Sequence, residues 1–223
     1  MAHPKALAGL GLACILAFAV VWRFPVRAEE WRLAFCEGDS LFQLHRVQEC
    51  ALQYPLVPSV DADSHYPVGY RVPWVHLHTL LYATLGQLTA APQDLEAIAA
   101  RVSWVPPALG AASVLLAALL ALQATASWPC ALLVALAAAV SGEVLRPFLY
   151  GIIDHHLFAH LGVLLLALGR MRRSLATWIG GLVALIAMTP EALLFVSLFL
   201  VLLFLSDAIA LARGRADRAM PWA

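Results

Sequence analysis

The chain has 223 residues, 62% of them hydrophobic and 13% charged, with a mean hydropathy of +0.82. That composition excludes a soluble domain with a large core and reads as an integral membrane protein. Lys and Arg number 14 and Asp and Glu number 14, a balance that gives no reason to expect a nucleic-acid partner.

Lys5 precedes an apolar run from Ala6 to Val21. Trp22, Arg23, Phe24 and Pro25 follow where a cleaved signal peptide would place small residues. Residues 1–22 are therefore expected to be a retained transmembrane helix that starts in the cytoplasm, and residues 23–105 a large outer loop. Within that loop, Ser40 to Gln53 sets apolar Leu41, Leu44, Val47, Ala51 and Leu52 against polar Gln43, Arg46, Glu49 and Gln53. This pattern predicts an amphipathic helix with Asp39 as its N-cap. Tyr54 to Tyr70 contains Pro55, Pro58, Pro67 and Gly69 without helical period, which predicts extended loop. Trp74 to Ala91 carries His76, His78, Thr79, Thr84 and Gln87, making it the least hydrophobic helical candidate. It is expected to lie at the interface or re-enter the membrane rather than cross it.

Further apolar segments run over Ala108–Leu122, Trp128–Val144, Leu157–Gly169, Leu175–Met188 and Ala192–Ala212. Arg170, Arg172 and Arg173 fall in one connection between them, and Arg213, Arg215 and Arg218 follow the last. Both clusters should be cytoplasmic. Counted from either end, the charges agree only if Trp74–Ala91 does not span. The expected architecture is an all-α, polytopic helical bundle forming one module over residues 1–223. It comprises the first helix, the outer loop with its interfacial helices, five further spans over residues 106–212 and a cytoplasmic tail over 213–223. A bacterial inner membrane is the expected location.

Under this topology Asp39, Asp61, Asp63, Asp154, His155, His156 and Glu191 all fall on the outer side. Asp154-His155-His156 stands out, because ionisable groups at the mouth of an apolar helix are costly and so usually functional. In an extended turn, Asp154 and His156 present their side chains to one face. Carboxylates and an imidazole with open positions suit Mn²⁺ or a similar divalent ion, which would neutralise a phosphate leaving group. Other readings stand beside these. Asp154 would serve equally as the N-cap of the following helix, and His156 with His160 has the four-residue spacing of a two-histidine site. Arg146 either attracts an anionic substrate or snorkels to lipid phosphate, and Glu191 sits as a dipole partner in a first helical turn. Cys14 and Cys130 read as packing residues. For Cys36 and Cys50, a disulfide and two free thiols both remain open.

Three stretches carry a resemblance. Gly38-Asp39-Ser-Leu-Phe-Gln-Leu-His-Arg46 is similar to the first outer-loop motif of the GT-C membrane glycosyltransferases, above all the oligosaccharyltransferase catalytic subunits. Tyr54-Pro55 to Trp74, with Asp61-x-Asp63, Tyr66-Pro-Val-Gly69 and Pro73-Trp74, resembles the rest of that loop. Arg146 through His156 resembles the second acidic motif, read here as Asp-x-His. The resemblance implies a catalytic Mn²⁺ or Mg²⁺ held by Asp39, Asp154 and His156, with Asp39 and Asp154 catalytic. Its donor would be a sugar on a polyprenyl phosphate or diphosphate, used at the outer face, with Arg146, His155 and Glu191 as substrate-side residues. Gln43 and His45 depart from the usual motif, and the family's later helices and Trp-Trp-Asp-Tyr-Gly acceptor motif are absent from these 223 residues. The chain is accordingly expected to be incomplete alone, with a second polypeptide supplying the remainder. Two alternatives come from other classes: a non-catalytic membrane subunit, and a histidine-box metalloenzyme using His76, His78, His155, His156 and His160.

Overall fold

An apolar run in hydrocarbon satisfies its backbone only through its own helical hydrogen bonds, and the long runs of this chain are helical. The computed structural model describes residues 4–22, 38–61, 67–72, 76–88, 91–141, 148–153, 155–188 and 192–213. In chain order these form α1 (Pro4–Trp22), α2 (Gly38–Leu52), β1 (Val60–Asp61), β2 (Tyr70–Arg71), α3 (His76–Gln87), α4 (Leu95–Val102), α5 (Val105–Thr125), α6 (Trp128–Val140), α7 (His156–Arg172), α8 (Leu175–Met188) and α9 (Ala192–Ala212). The protein is mostly helical, as expected.

Among the described residues one stretch, Leu95–Thr125, is both long and apolar enough to cross a membrane; Trp128–Val140, Leu175–Leu185 and Leu200–Ile209 are apolar but shorter. With 21 residues, α5 alone measures about 30 Å, the thickness of a bilayer's hydrocarbon core. Large apolar side chains stand exposed along α6, α8 and α9, up to 81% for Phe204. A surface this apolar calls for lipid or another protein against it.

Three clusters hold the chain together. α1, α5 and α6 meet through Ala19, Val114, Ala118, Ala135 and Ala139, small residues that let helices approach closely. α7 and α8 form a hairpin around Leu166 and Leu185, with Trp178 and Leu182 packed alongside. A Cβ on Gly162 would sit 2.9 Å from the carbonyl oxygen of Gly181, and one on Gly169 2.7 Å from the backbone nitrogen of Trp178, so these two helices touch backbone to backbone. At the end of the hairpin the Arg170 guanidinium donates to both carboxylate oxygens of Asp207 on α9. One of the arginines counted toward the cytoplasmic side is thus paired within the bundle.

The third and largest cluster joins Leu44, Val47, Cys50 and Ala51 of α2 to Tyr82 and Ala83 of α3 and Ile98, Ala99 and Val102 of α4. Phe148, Ile153, Leu157 and Phe158 complete it from the α7 side. Gln87 Nε2 donates to the Ala51 carbonyl at 2.6 Å, and a Cβ on Gly86 would meet Ile98 Cγ2 at 2.9 Å. α2, α3 and α4 therefore pack on one another and onto the start of α7.

Several expectations for this region change. The helix expected over Ser40–Gln53 begins at Gly38, so Asp39 lies in its first turn rather than at the N-cap. Its buried face carries Ser40, Gln43, Leu44, Arg46, Val47, Cys50 and Ala51, while Leu41 and Leu52 are exposed. Two residues expected on the polar face, Gln43 and Arg46, turn inward. The extended stretch after Tyr54 contains a short antiparallel pair, with Val60 opposite Arg71 and Asp61 opposite Tyr70. α4 was not expected. Asp94 caps it, its side chain accepting from the Ala97 amide at 2.9 Å, and that cap was its available sequence signal. Cys50 is a buried free thiol, while Cys36 lies outside the described residues.

Candidate functional site

α7 opens with the histidines singled out from the sequence. Its N-cap position is His155, which makes no side-chain capping hydrogen bond; the reading of Asp154 as the cap falls on a residue outside those described. His155 is buried and His156 exposed, their rings 4.2 Å apart between centroids. On the inner side, the His155 ring meets His78 edge-on at 6.2 Å, and His78 stands 4.7 Å from Tyr82 and 5.7 Å from Phe158. α3 thus touches the start of α7 through a buried aromatic stack. Asp39 is exposed in the first turn of α2. Asp154, Arg146 and Glu191 lie outside the described residues.

On its outer side His156 lines an apolar cavity of about 510 Å³. Ser113, Val114 and Ala117 of α5 form one wall, Ala138 of α6 and Phe148 another, and His160, Val163 and Leu164 of α7 with Leu185 of α8 the rest. The volume falls in the ~300–1,000 Å³ range of small-molecule sites. His156 and His160 share a helical face, and the His160 ring packs edge-on against Phe148 at 5.6 Å. Imidazoles beside a hydrocarbon-lined groove suit a ligand with a polar head and an apolar tail.

A second polar cluster lies between α2 and the strand pair. His45 Nε2 is 3.6 Å from Glu49 Oε1 and 3.9 Å from Asp61 Oδ1, and one ligand atom from each residue lies within 4.8 Å of the others. His45 and Glu49 are four residues apart on one face of α2, and strand pairing brings in Asp61. Asp61 is 2% exposed, whereas the His45 and Glu49 side chains are 38% and 24% exposed. Beside them Arg46 is 2% exposed, and neither Nη1 nor Nη2 has a hydrogen-bond partner. Burial pushes its guanidinium down from its ordinary range, opposed by the charges of Glu49, Cys50 and Asp61. Ser40 Oγ, Gln43 Oε1 and Thr79 Oγ1 are likewise buried without a hydrogen-bond partner.

Among the described residues, His45, Glu49 and Asp61 are the one group of three His, Cys, Asp or Glu side chains whose ligand atoms come within mutual reach. The histidine box is not assembled there: His76 is exposed, His78 is buried, and His160 packs on Phe148. Sequence reasoning recorded His45 only as a departure from a motif and placed Glu49 on a solvated face. The signal available was the four-residue His–Glu spacing followed by an aspartate.

Compared with known proteins, the chain matches no family model, no curated protein and no solved structure.

Proposed function

We propose that this protein is the donor-binding module of a GT-C-type membrane glycosyltransferase, using a sugar carried on a polyprenyl phosphate or diphosphate. The observation that carries this reading is the position of His156, which follows Asp154 by two residues and lines the apolar cavity between α5, α6, α7 and α8. A polyprenyl chain would lie in that cavity, which buries its hydrocarbon, with the phosphate at the histidine end. Asp39, Asp154 and His156 would hold Mn²⁺ or Mg²⁺, a donor set of carboxylate and imidazole that suits such ions. The ion, when bound, supplies Lewis-acid neutralisation of the departing phosphate. Arg146, His155 and Glu191 are the proposed substrate-side residues. Of these, His155 is held by the stack with His78, which makes it a positioning residue for His156.

The exposed apolar surfaces of α6, α8 and α9 support a polytopic arrangement in lipid, with the α2–α4 assembly and the start of α7 on the outer face. They also leave room for a second polypeptide to complete the enzyme. The competing reading, a non-catalytic subunit, requires neither metal nor a prenyl ligand.

Native mass spectrometry of the full chain in detergent, incubated with polyprenyl phosphate, tests the proposal. Val163 lines the cavity and is 43% exposed, so Val163→Trp fills the groove without disturbing the core. The parent should retain one prenyl ligand per chain and the variant should lose it. Equal retention, or none in the parent, would remove the basis for the reading.

A further inference from the structure

We propose that His45, Glu49 and Asp61 form a divalent-cation site of the zinc or manganese class, separate from the Asp39, Asp154 and His156 set. The argument starts with spacing. Two N or O ligands bound at about 2.1 Å around a tetrahedral ion lie about 3.4 Å apart. The His45–Glu49 and His45–Asp61 separations, 3.6 and 3.9 Å, exceed that edge by a few tenths of an ångström. Small rotations of the side chains close them on one ion. Position on the chain agrees: His45 and Glu49 present donors from successive turns of one helix, and Asp61 is fixed on a strand paired to Tyr70–Arg71.

Charge is in keeping with the same conclusion. Glu49 and Asp61 bring two carboxylates within 4.8 Å of each other, with Asp61 almost fully buried, and a divalent ion between them would offset their mutual repulsion. An imidazole with two carboxylates is a donor set used by zinc and manganese rather than by calcium, which takes oxygen ligands. Three protein donors leave coordination positions free, as in catalytic rather than structural sites.

The test uses the full chain in detergent, stripped with chelator and titrated with ZnCl₂ and MnCl₂ by calorimetry. It is run in the native sequence and in Asp39→Ala/Asp154→Ala, so that this site is counted apart from the proposed transferase metal. His45→Ala and Glu49→Gln are the principal variants, because both side chains are partly exposed and their loss leaves the core intact. Circular dichroism checks that each variant is folded. The expected result is loss of one equivalent, or at least about a tenfold weaker affinity, from either variant in either background. Unchanged stoichiometry and affinity in both variants would overturn the proposal. So would a folded Asp39→Ala/Asp154→Ala protein that binds neither ion, which would leave the cluster as an ion-pair network only.

Discussion

Replacing Gly181 by alanine puts a methyl group 2.8 Å from the carbonyl oxygen of Gly162 and 2.8 Å from the amide nitrogen of Leu166. Ordinary contact begins near 3.4 Å, so α8 must withdraw from α7 by about 0.6 Å. Both obstructing atoms are backbone, and neither can swing aside as a flexible side chain would. A gap of that size forfeits about a quarter to a half of the dispersion well along the seam, and overpacking of this kind costs about 1–3 kcal/mol. Gly180, next in the chain, is the internal control, since a Cβ there meets nothing within 4 Å. In Gly180→Ala only the backbone effect acts, which in a helix interior favours alanine by about 0.5–1 kcal/mol. The same gain acts at Gly181, so the two variants should differ by the overpacking cost, about 1–3 kcal/mol, with Gly181→Ala the less stable. Thermal unfolding in detergent reads the difference, followed by the fluorescence of Trp178, which packs in the same hairpin. Equal stability of the two alanine variants would refute the close approach of α7 and α8.

Asp207→Asn removes one partner of the bidentate pair with Arg170, leaving a guanidinium only 21% exposed. Because the pair is partly open to its surroundings, a loss of about 1–3 kcal/mol is expected. Arg170→Gln/Asp207→Asn should recover part of it, and a double variant no better than the single would contradict the pairing. Cys50 is buried, and burial raises its thiol above the ordinary range although the neighbouring Arg46 pulls it down. In a variant retaining only this cysteine, maleimide should react at least about tenfold more slowly in folded than in unfolded protein. The thiolate appears only at higher pH in the folded state, so raising the pH through the ordinary thiol range should speed labelling of the unfolded chain first. Matching rates and pH profiles would place Cys50 at the surface. Gln87→Ala removes the donor to the carbonyl of the buried Ala51 and should lower stability by about 1–3 kcal/mol. An unchanged melting temperature would contradict the α2–α3 contact.

The legible parts of the sequence were those governed by one strong force. Uninterrupted apolar runs gave α1 and α5 to α9, because a helix is the one local structure that satisfies its own backbone in hydrocarbon. The start of α7 at His156 was also close to expectation. Where two environments compete, pattern misled. On α2 the apolar–polar contrast pointed Gln43 and Arg46 outward, yet both are buried. The helix packs by the spacing of Ser40, Gln43, Val47 and Cys50 rather than by hydropathy. α4 is short and preceded by Pro92, so only the Asp94 cap marked it. The His45–Glu49–Asp61 cluster depends on the chain reversing after Gln53 and on the β1–β2 register, long-range facts that no local period encodes. His78 was read as one of the polar residues that keep Trp74–Ala91 at the interface, and its contact with His155 across more than seventy residues arises only when α3 packs onto the start of α7.

The most direct measurement of the central proposal is the affinity of the full chain in lipid nanodiscs for polyprenyl phosphate, with and without Mn²⁺. The account predicts tighter binding with Mn²⁺ in the native sequence. In Asp154→Ala it predicts residual binding that no longer responds to Mn²⁺, because the tail still occupies the cavity beside His156 while the phosphate has lost its ion. Affinity that is the same with and without Mn²⁺ in the native sequence, or an Asp154→Ala variant that responds to the ion as the parent does, would contradict it.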